Sequence, residues 1–245
     1  MPSLTSFEKP VDALIAGANG GIGHALVDAL LENDNVRSIH ALSRSSWPGK
    51  HKKIISHILE VGDETEILSS LANINRLTLV IVTTGMLHDK CFSPEKSYKS
   101  ISPLHMAESF YVNVILPTMI AKHIMAKIPR EERAIFCALS ARVGSISDNR
   151  LGGWYSYRAG KAALNQILKC LSIEIKRTHP KAVCVGLHPG TVNTKLSLPF
   201  QKSMAPHHKL LLPSESANHL LNVIDRINLE DSGFVFAWDG TIIPP

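Results

Sequence analysis

Short apolar runs along this chain alternate with longer stretches in which apolar residues recur at helical spacing. The runs predict strands at residues 11–16, 38–43, 53–61, 77–82, 134–139, 182–187 and 234–236. Helical patterns separate them, most clearly at residues 22–31 and 157–178. This alternation predicts an α/β fold with a single doubly wound, Rossmann-type parallel sheet of about seven strands and helices on both faces.

Length and composition indicate one ordinary globular domain. The chain has 245 residues, of which 44% are hydrophobic and 19% charged, and no Pro/Gly/Ser-rich linker divides it, so we expect one domain over residues 1–245. No apolar run approaches the roughly 18 residues of a membrane span, and the first residues lack a secretion signal. A cytoplasmic location is therefore expected.

Charge and metal-ligand patterns exclude two function classes. The net charge is +5, but Lys and Arg are scattered rather than arranged in a basic stripe with aromatic residues, so a nucleic-acid partner is not expected. The four cysteines and twelve histidines lack metal-ligand spacing, so no metal site is predicted.

A glycine-rich turn follows the first predicted strand. Gly17, Gly21 and Gly23 allow a tight turn that brings main-chain amides at a helix N-terminus close to a pyrophosphate. The spacing is not G-x-G-x-x-G, and a tight strand-to-helix connection is the alternative interpretation. After the second strand, Ser43 and Arg44 stand where a dinucleotide fold often carries an acid, and a cation there suits a 2′-phosphate, so NADP(H) is preferred and NAD(H) is the alternative.

Tyr157 and Lys161 are four residues apart at the start of the long helical pattern. Positions i and i+4 lie on one helix face, so the ammonium is expected to lower the pKa of the phenol from its usual value of about 10. A phenol made more acidic is suited to proton exchange in carbonyl chemistry.

The ordered motifs resemble the short-chain dehydrogenase/reductase family over essentially the whole chain. They are the turn at residues 17–23, Asn113, Tyr157-x3-Lys161 and the stretch at residues 189–194. The stretches at residues 141–146, 153–158, 162–165 and 238–240 are most similar to the C-factor and sniffer-type carbonyl reductase branch.

This resemblance implies roles for individual residues. Tyr157 would be the general acid or base, Lys161 would lower its pKa and bind the nicotinamide ribose, and Asn113 in the fourth helix would hold a water that links Lys161 to solvent. Cofactor contacts are implied for Gly17, Asn19, Gly20, Gly21, Ile22, Gly23, Ser43, Arg44, Glu60, Val61, Gly85, Pro189, Gly190, Val192 and Thr194.

One position departs from the family pattern. Where relatives carry a serine that binds the substrate oxygen, this chain has Ala141. Ser145 on the following loop is the preferred substitute, and Ser140 is the alternative. Loss of such a donor costs about 2.7 to 4 kcal/mol of transition-state stabilisation in comparable sites.

The segment at residues 195–213 is apolar but interrupted by prolines, so it is predicted to be a substrate lid, with a mobile surface loop as the alternative. Trp154, Leu196 and Phe200 are expected to line the pocket. The resemblance also implies a homodimer or homotetramer built on the helices of Asn113 and Tyr157. Their apolar positions, which belong either to that interface or to the monomer core, are Ile115, Ile120, Leu164 and Leu168.

These observations predict an NADP(H)-dependent oxidoreductase that interconverts a small-molecule carbonyl and alcohol, with Tyr157 as general acid/base. The alternative is a dinucleotide-binding signalling or regulatory protein of the C-factor type with weak or no catalysis, a hypothesis motivated by Ala141 and by the sequence Val82-Thr83-Thr84-Gly85. An enzyme of this fold that acts on sugars or isomerises its substrate is a third hypothesis.

Overall fold

The computed structural model of the chain describes residues 4–60, 64–203 and 209–245. Its strands are β1 (Val11–Ala16), β2 (Val36–Ser43), β3 (Ile54–Ile58), β4 (Leu79–Val82), β5 (Ala134–Leu139), β6 (Ala182–His188), β7 (Thr191–Val192), β8 (Leu210–Leu211), β9 (Val235–Ala237) and β10 (Ile242–Ile243). Its α-helices are α1 (Gly21–Leu31), α2 (Glu64–Leu71), α3 (Pro103–Phe110), α4 (Leu116–Ile124), α5 (Tyr155–Thr178) and α6 (Pro213–Arg226).

Eight strands form the main sheet in the order β3-β2-β1-β4-β5-β6-β9-β10. All neighbours pair in parallel except β9 and β10. The chain adds β2 and β3 on one side of β1 and then crosses to β4 on the other side. In such sheets the ligand crevice lies outside the carboxyl ends of the strands at this switch point.

Both faces of the sheet are covered, which explains the continuous apolar runs. Every residue of β1, β4 and β5 is buried. Alternate side chains of β1 enter different cores: Ile15 packs in the core that includes α1 and α6, whereas Leu14 packs in the core that includes α2, α4 and α5.

The predicted fold class is confirmed, and the bounds of β1 and β5 agree with the prediction. The main sheet has eight strands rather than about seven, because the two-residue β10 is too short to produce a recognisable apolar run. The third strand is shorter than predicted and ends at Ile58. A second sheet of β7 and β8 was not predicted; it joins the loop after β6 to the far part of the expected lid.

The helix positions considered for an oligomer interface divide into two groups. Ile120, Leu164 and Leu168 are buried in the core of the single chain, so of the two alternatives the monomer core applies to them. Ile115 is exposed to 45%. In the described ranges, no helix has the length and apolar content needed to cross a membrane, and no cluster of three or more His, Cys, Asp or Glu residues is arranged to hold a metal ion.

Candidate active site

The loops at the carboxyl ends of β1, β4, β5 and β6 meet at the switch point of the sheet and carry most of the predicted site residues. Two distances show how closely they approach one another. A Cβ atom added to Gly21 would lie 2.7 Å from the Thr194 methyl group, and one added to Gly85 would lie 3.8 Å from Lys161 Nζ. The first contact joins the turn after β1 to the loop after β6, and the second joins the loop after β4 to α5.

The turn after β1 is built for close main-chain packing. Gly17 has a φ of +88°, and a Cβ atom on Gly23 would lie only 2.2 Å from the Gly17 oxygen. Helix α1 then begins with Gly20 as its N-cap, a residue with no side chain to occupy the first amides. No side chain of the described residues caps this helix, and its first amides lie at the positive end of the helix dipole, which is a favourable place for a phosphate.

The loop after β2 is fixed to this turn. Asn19 Nδ2 donates hydrogen bonds to the Ser45 carbonyl at 2.9 Å and to Ser45 Oγ at 2.8 Å, and Ser43 Oγ donates to the same carbonyl at 2.6 Å. Asn19 and Ser43 thus have structural contacts that their predicted cofactor role did not anticipate. Arg44 is exposed and forms no ion pair with any described residue.

Glu60, another of the implied cofactor contacts, follows β3 farther along the sheet. Glu60 is exposed, and its amide donates to Glu66 Oε1 at 3.0 Å. Val61 lies outside the described residues.

Asn113 lies in a π-helical turn, Tyr111–Ile115, between α3 and α4, rather than in the regular helix that was expected. Its Nδ2 donates to the Met86 carbonyl at 2.8 Å and to the Ser109 carbonyl at 2.9 Å, and its Oδ1 accepts from the Met86 amide at 3.1 Å. The loop after β4 is therefore fastened to the helix through one buried amide side chain. π-turns of this kind occur frequently at functional sites.

Tyr157 and Lys161 lie on one face of α5, with Lys161 Nζ 5.6 Å from the centre of the Tyr157 ring. Lys161 is buried, and its Nζ donates to the Leu139 carbonyl at 2.8 Å. Burial lowers the pKa of Lys161 to about 7 and raises the pKa of Tyr157 to about 12.

The expectation that the ammonium lowers the pKa of the phenol was therefore wrong for the chain alone. Desolvation disfavours the charged form of both groups, and at pH 7 Lys161 is only partly protonated.

Neither candidate serine presents an unengaged hydroxyl. Ser145 Oγ donates to the Pro245 main-chain oxygen at 3.3 Å and accepts from the Asp148 amide at 3.1 Å. Ser140 Oγ donates to Asn165 Oδ1 at 2.5 Å. Gly144, between them, packs so tightly on α5 that a Cβ atom would lie 2.7 Å from Lys161 Cβ.

The loop after β6 supplies the remaining predicted cofactor contacts. Val192 is buried in β7, and the Thr194 amide donates to Ser197 Oγ at 3.3 Å. Pro189 accepts a hydrogen bond from Ser216 on α6 at 2.9 Å. A Cβ atom on Gly190 would lie 2.9 Å from Leu211 and Trp238, so this glycine permits close packing of the loop.

Aromatic side chains form one wall beside Tyr157. The centre of the Trp154 ring lies 6.3 Å from the centre of the Tyr157 ring and 5.3 Å from that of the Phe200 ring. The Phe200 and His88 rings pack edge to face, with their centres 5.6 Å apart. His88 Nε2 also lies 3.2 Å from the Leu196 carbonyl. The described part of the predicted lid is therefore held against the helix that carries Tyr157, whereas residues 204–208 lie outside the described ranges.

Two residues at this wall were missed from the sequence. His88 contacts the lid segment, and Glu95 binds the start of α5. A histidine and a glutamate in a polar loop carry no distinguishing signal, since their partners are 108 and 61 residues away.

A family model described as short chain dehydrogenase matches residues 12–204. The chain belongs to the short-chain dehydrogenase family. Like its predicted fold, its predicted similarity to the C-factor and sniffer-type carbonyl reductases is confirmed.

Individual relatives of this short-chain dehydrogenase differ in how far they match. It is 32% identical over 140 residues to the C-signal of Myxococcus xanthus, covering 57% of this chain and 78% of that protein. It is 26% identical over 260 residues to the Schizosaccharomyces pombe protein Uncharacterized oxidoreductase C663.09c, and the match covers 94% of this chain and 96% of that protein. The NADPH-bound carbonyl reductase from chicken fatty liver superposes with a TM-score of 0.82 at 24% identity, covering 97% of this chain and 100% of that one.

Proposed function

We propose that this short-chain dehydrogenase is an NADP(H)-dependent carbonyl reductase in which Tyr157 exchanges the proton of the substrate oxygen. The observation that carries the proposal is the convergence of four loops and α5 at the switch point. There a Cβ atom on Gly85 would lie 3.5 Å from Asn113 Oδ1 and 3.8 Å from Lys161 Nζ. A lysine, an amide and a phenol gathered beside a glycine turn form a constellation suited to coenzyme-dependent proton transfer.

The residues at the switch point fit a dinucleotide. The N-terminus of α1, which has no side-chain cap at Gly20, suits its pyrophosphate. The Thr84 hydroxyl, next to Gly85, is buried and has no hydrogen-bond partner in the described part of the chain, so it can bind a polar group of a ligand. A nicotinamide coenzyme would supply or accept the hydride, and Val192 and Thr194 would contact its carboxamide.

Proton transfer falls to the residues of the chain. Tyr157 is neutral at physiological pH, because burial raises its pKa to about 12, and so it is a proton donor in the reduction direction. Lys161, whose pKa is lowered to about 7 by burial, can take up the proton that recharges Tyr157. Asn113 fixes the loop after β4 against this pair and completes the predicted proton path.

We assign the preference for NADP(H) over NAD(H) to Arg44. Its exposed guanidinium follows β2 and is available to pair with a 2′-phosphate. The NADPH bound to the chicken carbonyl reductase and the NADP bound to a short-chain dehydrogenase/reductase of Burkholderia multivorans support this preference. We also propose that the protein is cytoplasmic and that it forms a homodimer or homotetramer. The mass of the particle in solution tests the assembly.

Neither candidate serine has a hydroxyl free to bind the substrate oxygen. The hydroxyls of Ser140 and Ser145 bind other partners, so Ser145 can serve only if a substrate displaces its contact with the Pro245 oxygen. We therefore expect modest turnover, with Tyr157 as the principal donor to the oxyanion.

Oxidation of NADPH in the presence of a panel of ketones and aldehydes tests the proposal. Wild type is expected to oxidise NADPH with at least one carbonyl compound, and Tyr157→Phe is expected to bind NADPH with unchanged affinity but to lose turnover. NADPH binding measured by calorimetry without oxidation by any carbonyl compound would instead favour the regulatory alternative.

A further inference from the structure

The first turn of α5 has an unusual start for a helix that carries the proposed proton donor. Its N-cap is Trp154, which adopts a left-handed backbone conformation with φ of 51°. An indole has no oxygen with which to accept hydrogen bonds from the first amides, and the first turn contains no acidic residue. The exposed amides of this turn therefore need an acceptor from elsewhere in the chain.

Glu95 supplies that acceptor from the loop after β4, 61 residues away along the chain. Its Oε2 accepts from the Ser156 amide at 3.2 Å, and its Oε1 accepts from the Ser156 hydroxyl. Its main-chain oxygen accepts from the Trp154 amide at 2.5 Å. One residue thus binds both sides of the helix start and holds Trp154 in its strained conformation.

The Glu95 carboxylate is enclosed by protein. Its side chain is exposed to only 1%, and His105 Nδ1 lies 3.5 Å from its Oε1. The His105 ring is stacked on Phe92 with the ring centres 4.9 Å apart. His105 belongs to α3, the helix that leads into the turn containing Asn113. Glu95 therefore joins the loop after β4, α3 and α5 at one buried point.

The cluster of Ser156, Glu95 and His105 is not arranged for nucleophilic catalysis. In a hydrolase triad the serine donates to the histidine, which then takes its proton. Here the Ser156 hydroxyl donates directly to the carboxylate and is buried. The arrangement instead orients a helix terminus, since a carboxylate that accepts hydrogen bonds from an amide N–H and a hydroxyl is a strong cap.

We propose that Glu95 is a positioning residue: by capping the first turn of α5 it fixes Tyr157 over the reacting carbonyl and Trp154 against the substrate. The inference rests on the proposed function for its catalytic consequence, because Glu95 itself touches neither substrate nor coenzyme. The glycine turn that would bind the pyrophosphate lies at the start of α1, and among the described residues no hydrogen bond or ion pair joins it to Glu95. Turnover should therefore respond to Glu95 while coenzyme affinity does not.

Glu95→Leu removes both carboxylate oxygens at similar volume and leaves the main-chain contact to Trp154. We expect kcat to fall by roughly 10- to 100-fold, the effect of a displacement of about 1 Å at a reacting group, with the Kd for NADPH within about twofold of wild type. Glu95→Gln keeps one acceptor for the Ser156 amide, so its kcat should lie between those of wild type and Glu95→Leu.

Asp225→Leu is the matched control. The Asp225 carboxylate also accepts main-chain N–H groups, from Thr5 at 3.2 Å and Ser6 at 2.9 Å, but it does so at the amino end of β1, opposite the site. This variant should lose stability with kcat unchanged at temperatures well below its Tm. An equal loss of kcat in both variants would overturn the proposal, as would wild-type kcat in Glu95→Leu.

Two further measurements separate positioning from general destabilisation. Ser156→Ala removes only the hydroxyl, and its effect on kcat should be strongly non-additive with that of Glu95→Leu, since both act through one contact. Hydrogen exchange of the peptide spanning residues 153–158 does not require turnover. Faster exchange there in Glu95→Leu, with α1 unchanged, supports the cap even if wild type reduces no carbonyl, whereas unchanged exchange overturns it.

Discussion

Replacement of Lys161 by methionine tests whether the site lysine is held in a buried, partly neutral state. Burial lowers the pKa of Lys161 from an ordinary value of 10.5 to about 7. Between these values the unfolded chain binds a proton that the folded chain does not, so the contribution of Lys161 to the free energy of unfolding rises with pH. It is smallest below pH 7, increases from pH 7 upward, and is complete above pH 10.5.

The expected size follows from the same two pKa values. Between pH 7 and pH 9 the contribution of Lys161 grows by about 2 kcal/mol, because the slope approaches about 1.4 kcal/mol per pH unit once the folded-state pKa is passed. Methionine fills a similar volume without titrating. The difference in the free energy of unfolding between wild type and Lys161→Met should therefore shift by about 2 kcal/mol in favour of wild type over this range.

Urea unfolding of both proteins at pH 7, 8 and 9 without coenzyme measures this difference. Titration of other groups cancels in the comparison, including the thiols of Cys137 and Cys184, whose pKa values burial raises. A difference that does not change with pH would refute the reasoning, since it would mean that Lys161 keeps its ordinary pKa in the folded chain.

Three further substitutions test the coenzyme and substrate contacts. Gly23→Ala would place a Cβ atom 2.2 Å from a main-chain oxygen of the turn. Calorimetry should therefore show weaker NADPH binding, and urea unfolding should show that the free energy of unfolding falls by about 1–3 kcal/mol. In the control Gly49→Ala the nearest contact of the added Cβ atom is at 3.6 Å, so neither the NADPH affinity nor the stability should change. Arg44→Ala should raise the Kd for NADPH by roughly 10- to 100-fold, the effect expected when one charge-assisted hydrogen bond is lost, and should leave the Kd for NADH unchanged. Equal effects on both coenzymes would show that Arg44 does not bind the 2′-phosphate. Phe200→Ala removes the ring that packs 5.3 Å from Trp154, so steady-state kinetics should show a raised KM for a bulky ketone with a smaller change for acetone, and identical changes for both would contradict a role in the pocket wall.

The pattern of apolar residues predicted those strands that are buried on both faces of the sheet. Strands β1 and β5 are covered on both faces, so their apolar runs begin and end where the strands do. Strand β10 was missed, because two residues are too few to establish a pattern. The π-helical turn at Asn113 comes with hydrogen bonds to Met86, 27 residues away, and helical periodicity cannot predict such contacts.

The spacing of the candidate site residues predicted which side chains lie together, but not their electrostatics. The i, i+4 spacing correctly brought Tyr157 and Lys161 to one face, but it gave the wrong direction for the pKa of Tyr157, since burial outweighs the neighbouring amine. The contact that engages the Ser145 hydroxyl comes from Pro245, 100 residues later. Only the folded chain reveals such long-range partners.

Transfer of deuterium from NADPH to the product tests the central claim most directly. The claim is that the cleft at the switch point binds NADPH and that Tyr157 protonates a carbonyl while hydride is delivered. With NADPH dideuterated at C4 of the nicotinamide, the wild-type product alcohol should carry one deuterium on the carbinol carbon, and Tyr157→Phe should form no product at matched NADPH saturation. Alcohol without deuterium, or labelled alcohol formed by Tyr157→Phe at the wild-type rate, would contradict it.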